Sequence, residues 1–134
     1  MSDGSIVVCG VMGTAGSIDM AAGAVGGVIN TGSLTFSGGG IIVRYSATGD
    51  VIWVRNPSFM NLTMLAADAS DNIYVGGLIS GNASTFMANA VGGDTTPFTP
   101  TKNSLTGDDG ILIKMNPNGG AIWSRVIAGT STNP

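Results

Sequence analysis

Residues 40–55 read GIIVRYSATGDVIWVR, and residues 110–125 read GILIKMNPNGGAIWSR, at a constant offset of 70. Gly40/Gly110, Ile41/Ile111, Gly49/Gly119, Ile52/Ile122, Trp53/Trp123 and Arg55/Arg125 are identical, while Ile42/Leu112, Val43/Ile113 and Arg44/Lys114 keep their chemistry. Each copy is a short apolar run, a four-residue turn and a second apolar run ending in Trp-x-Arg. Short β-rich runs around a turn-former cluster predict a hairpin, and repetition predicts units that bury faces on one another. The turns are Ser46-Ala47-Thr48-Gly49 and Asn116-Pro117-Asn118-Gly119. In both, the final glycine supplies the left-handed residue, and Pro117 presets φ in the second.

The repeat reaches beyond the hairpins. SIVVCG at residues 5–10 is answered by NIYVGG at 72–77, and MAAGAVGG at 20–27 by FMANAVGG at 86–93. The chain therefore predicts an all-β fold of two propeller-blade-like antiparallel meanders, over about residues 1–60 and 61–134. One unit has strands at 62–67, 72–77, 110–115 and 121–127. The other has 5–10, 40–45 and 51–55, one strand short of four. The long connections 11–39 and 78–106 should hold short extra strands or an ordered flap, because structureless loops of that length are rare in compact domains. The missing strand is expected after Ile127, so that residues 128–134 of one copy lie beside 5–10 of the next. This makes Ile6, Val8, Ala128 and Thr130 the expected oligomer edge.

Composition agrees. The chain has 22 glycines, no glutamate and no glutamine, and only five Lys and Arg, so the residues that make exposed helical faces are nearly absent. Charged residues are 10% against 43% hydrophobic, far below the roughly 25% charge of an average domain. A surface so poor in charge predicts burial against copies of the same chain. Net charge −3 argues against nucleic acid or an anionic membrane as partner, since both need a basic patch. A lone Cys9 excludes an intramolecular disulfide. Neither a signal peptide nor a run of about 20 apolar residues is evident. The expected location is cytoplasmic, or within a virion or surface assembly.

The second unit carries Asp68, Asp71-Asn72-Ile73-Tyr74-Val75-x-Gly77, then Asp109-Gly110-Ile111-x-Ile113-Lys114 and Asn118-Gly119-x-x-x-Trp123. This resembles the bacterial β-propeller repeat family called SBBP, whose blades read D-x-x-G-N-x-Y-V-x-G … D-A-F-V-A-K-x-D-x-x-G-x-x-x-W. The resemblance covers most of one unit and about three quarters of the other. It implies a propeller scaffold of the kind found in surface or extracellular repeat proteins, and no reaction. A closed propeller takes at least four blades, so two units imply closure through further copies.

Candidate chemistry is sparse. No histidine is present, which removes Ser-His-Asp triads and nearly all zinc sites. Cys9 sits in an apolar strand and reads as a structural thiol. Asp68 with Asp71, and Asp108 with Asp109, read as turn caps; neither pair has calcium-loop spacing. The glycine clusters at 26–27 and 38–40 lack a following Lys-Ser/Thr and read as turns. Trp53, Arg55, Trp123 and Arg125 are the candidate binding residues. Each Arg lies two positions beyond its Trp on the same strand face, which predicts either a cation–π packing pair or a repeated sugar or anion pocket. The expected function is a non-enzymatic scaffold without cofactor or metal, a subunit of a symmetric homo-oligomer with a trimer favoured. The alternative is a lectin-like module with one shallow site per repeat for a surface glycan.

Overall fold

Alternating apolar residues bounded by Gly, Asp and Asn turns give nine strands in a computed structural model describing residues 1–13, 15–19, 33–36, 38–80, 86–87, 90–100, 102 and 107–127. They are β1 (Ile6–Met12), β2 (Gly16–Asp19), β3 (Ser33–Phe36), β4 (Gly39–Tyr45), β5 (Val51–Arg55), β6 (Met60–Ala67), β7 (Ile73–Ile79), β8 (Asp109–Met115) and β9 (Ala121–Ile127). Among the described residues there is no helix. Two antiparallel sheets dominate, with orders β1-β4-β5 and β6-β7-β8-β9; β2 and β3 form a separate two-stranded antiparallel sheet.

The repeat is visible in the register. Ile6 pairs with Tyr45 on β4, and Ile73 pairs with Met115 on β8, so β1-β4-β5 and β7-β8-β9 are equivalent triplets. Both hairpins carry the same irregularity. Arg44 opposes Trp53 while Tyr45 opposes Val51, and Lys114 opposes Trp123 while Met115 opposes Ala121. The unpaired extra residue is Ile52 in one and Ile122 in the other. Such a bulge turns the strand and places Trp and Arg on the face opposite the residue that opens the strand. The turns match too. Gly49 and Gly119 have φ of 90° and 84°, and their amides donate to Ser46 and Asn116 carbonyls at 3.0 Å each.

The strand inventory of the second unit, and the three strands of the first, are as the sequence predicts. The first long connection holds β2 and β3. The second holds an ordered flap in which Val91 and Val54 exchange backbone bonds at 2.9 and 3.1 Å, adding a bridge to the free side of β5. Ala128 and Thr130 lie outside the described residues, so the expected neighbour of β1 does too.

The core forms where one face of the first sheet meets one face of the second. Ile42 and Trp53 from the first sheet pack with Leu62, Ile73, Val75, Ile111, Ile113 and Met115 from the second. Phe86 closes the cluster from the flap and meets Phe98 edge-on at 6.2 Å. Close approach is paid for by glycine at Gly40, where a Cβ would come within 2.9 Å of the Met60 carbonyl. The opposite face of the second sheet points outward, carrying Met64, Leu78, Leu112 and Ile127 in exposed positions.

Candidate interaction site: the repeated Trp-Arg pair

The bulge in β5 aims Trp53 and Arg55 at the second unit's turn. The Trp53 indole Nε1 donates to the Pro117 carbonyl at 3.0 Å, and Arg44 Nη1 donates to the same oxygen at 2.6 Å. Arg55 lies over the Trp53 ring at 5.1 Å. Its Nε donates to Gly119 O at 2.9 Å, Nη2 to Asp94 O at 2.8 Å and Asn118 O at 3.3 Å, and Nη1 to Val54 O at 2.7 Å. Both side chains are fully buried. A buried cation is tolerable only when its donors are met, and here backbone carbonyls of the turn and flap meet them. Burial pushes the Arg55 guanidinium below its usual range, and the nearby Asp94 charge opposes that shift.

Asp94 anchors the flap to the turn. Its carboxylate accepts from Thr96 Oγ1 at 2.6 Å, Thr96 N at 3.0 Å and Asn116 Nδ2 at 3.0 Å. These bonds, those from Thr96 foremost, hold its pKa down to about 2. Arg44 is fixed from behind by Ser5 Oγ at 2.9 Å and Asp3 at 2.7 Å.

The second pair has the same internal arrangement and no such cover. Arg125 lies over the Trp123 ring at 5.5 Å, and its Nη1 donates to Ser124 O at 2.9 Å, as Arg55 does to Val54 O. Tyr74 meets Trp123 edge-on at 6.2 Å, and Lys114 sits 5.2 Å above the Tyr74 ring and 3.9 Å from Asp68. The contact with the Tyr74 hydroxyl, more than Asp68, raises the Lys114 pKa. Trp123 is half-buried and Arg125 exposed. The sequence leaves packing and a ligand pocket open for both indoles; the structure buries Trp53 against the second sheet and, among the described residues, leaves Trp123 half-buried. Trp53 and Arg55 thus offer no surface to a ligand.

Asp68 accepts from Ser70 N, Asn72 N, Asn72 Nδ2 and Tyr74 OH, which caps its turn and lowers its pKa, chiefly through Asn72. Asp109 is not a turn residue: it opens β8 and is buried. Cys9 is half-buried beside the core, and desolvation raises its thiol pKa. Ile6 and Val8 are 61% and 50% exposed on β1. Among the described residues no three His, Cys, Asp or Glu gather as a metal site. A cleft of about 270 Å³ lies between Gly39, Phe59, Asn61 and Ser80, and none of the described residues that line it is titratable. Sequence reasoning missed Asp94 and the Pro117 carbonyl; the echo of residues 20–27 in 86–93 was the available signal for the flap.

No family model, curated protein or solved structure matches the chain.

Proposed function

We propose that the protein is a non-enzymatic structural scaffold, a β-propeller-like subunit that works as a symmetric assembly of its own copies. One observation carries this reading. The Trp-Arg pair of the first unit clamps the second unit's turn, and the same pair in the second unit stands preformed on an outward apolar face. Apolar residues exposed together on one sheet face mark interaction surfaces. The low charge of the chain fits a molecule whose faces are covered in use. Virion decoration and surface-layer components are parts of this kind. Multi-angle light scattering at micromolar concentration tests the reading. The expected result is a closed multiple of 13.4 kDa, with three copies favoured; a monomer overturns it.

A carbohydrate-binding reading draws on half-exposed Trp123, with Tyr74 at its edge and Arg125 above it. It requires glycan binding, read by tryptophan fluorescence, that Trp123→Ala abolishes.

A further inference from the structure

Resting on that assembly reading, we infer that the outward face of the second sheet docks head-to-tail on the first sheet of another copy, with Trp123, Arg125 and Lys114 clamping the turn at residues 46–49. The template is inside the chain. Trp53, Arg55 and Arg44 bind the carbonyls of Pro117, Asn118 and Gly119. At the offset of 70 these become Trp123, Arg125 and Lys114 facing the carbonyls of Ala47, Thr48 and Gly49.

Both halves of the second contact already have the required shape. The donor half repeats the ring stacking and the bond to the preceding carbonyl. In the acceptor half, Ser46 N donates to Asp50 O at 2.7 Å, and Asn116 N donates to Gly120 O at 2.8 Å. Asp50 N is capped by Ser46 Oγ at 3.0 Å, and Gly120 N by Asn116 Oδ1 at 3.0 Å. The difference lies in occupancy of the space above each turn. A Cβ added at Gly119 would meet Arg55 Nη2 at 2.6 Å, whereas one added at Gly49 would meet no atom of the described residues within 4 Å.

Charge and apolar surface agree. A Cβ added at Gly120 would run into the Asp94 carboxylate; in the first turn that position is Asp50, an acidic group next to where Arg125 would arrive. Around the clamp, Met64 at 62% and Ile127 at 75% exposure on the donor face would be covered, as would Ile6 and Val8 on the acceptor face. Such a contact is heterologous, so each copy keeps one free donor and one free acceptor until a ring closes.

The test is a mixing experiment on the full chain, read by sedimentation velocity. Arg125→Glu spoils the donor face and Val8→Glu the acceptor face; both positions are exposed. Each variant alone should sediment as a monomer, and an equal mixture should form two-chain particles that grow no further. Near-ultraviolet circular dichroism confirms folding, with Met64→Asp and Ile6→Asp replacing either variant that unfolds. If wild type assembles and neither variant changes its mass, the docking is overturned while the scaffold reading stands. If Val8→Glu alone has no effect, the face meets its own copy and head-to-tail docking is overturned. A wild-type monomer overturns both.

Discussion

Trp53 and Trp123 are the same residue in the repeat and different residues in the fold. Trp53 is enclosed by two sheets and bonded to Pro117 O; Trp123 has Tyr74 at its edge and Arg125 over its ring, and is half-buried. Truncating a fully enclosed indole costs about 3–5 kcal/mol. Trp53→Ala should therefore lower unfolding free energy by about that amount in urea titration. Trp123→Ala should cost about half as much or less at protein concentrations low enough to keep the chain dissociated. Equal losses would show that Trp123 is covered within one chain. Which indole is buried could not be read from residues 53 and 123, because their neighbours in sequence are nearly identical.

At the scale of elements, the two turns form a matched pair. Both end in a positive-φ glycine, so alanine at either costs about 1–2 kcal/mol of left-handed strain. Only at Gly119 does the new methyl also collide, with Arg55 Nη2 at 2.6 Å and Trp53 Cδ2 at 2.9 Å. Overpacking of that kind adds about 1–3 kcal/mol. Gly119→Ala should destabilise more than Gly49→Ala by about that increment, measured by thermal melting at low concentration. The hairpins and their turns were legible from period, Gly and Pro. The bulges at Ile52 and Ile122 were not, because a bulge is a mismatch of register between two strands and leaves no mark in either one alone.

For the whole molecule, the junction of the two units carries an acid-sensitive tie. Thr96 and Asn116 hold Asp94 at about 2, against about 4 for an unperturbed carboxyl. A depressed folded-state pKa means stability that is full above the unfolded value and lost as pH falls toward the folded one. Asp3, Asp68 and Asp71 are lowered as well, chiefly by hydrogen bonds from Ser5, Asn72 and Ser2 respectively. The urea midpoint should fall between about pH 4 and pH 2, and Asp94→Asn should make that fall shallower. With no histidine in the chain, no side chain of ordinary pKa titrates between about pH 5 and 8, so the midpoint should hold nearly constant there. A midpoint unchanged down to pH 2 would show that these bonds add nothing to stability.

The all-β class, the repeat, the unequal strand count of the two sheets and the adjacency of Trp and Arg on one face were legible in the residues alone. Those follow from local period, turn chemistry and self-similarity, which are properties of short stretches. Tertiary structure decided that the sheets meet through the Trp53 face of the first and the Ile73–Val75 face of the second. It also decided that Val91 bridges to Val54 beside β5, and that Asp94 meets Asn116. These depend on contacts between segments far apart in the chain, where the same local pattern is buried in one unit and left open in the other.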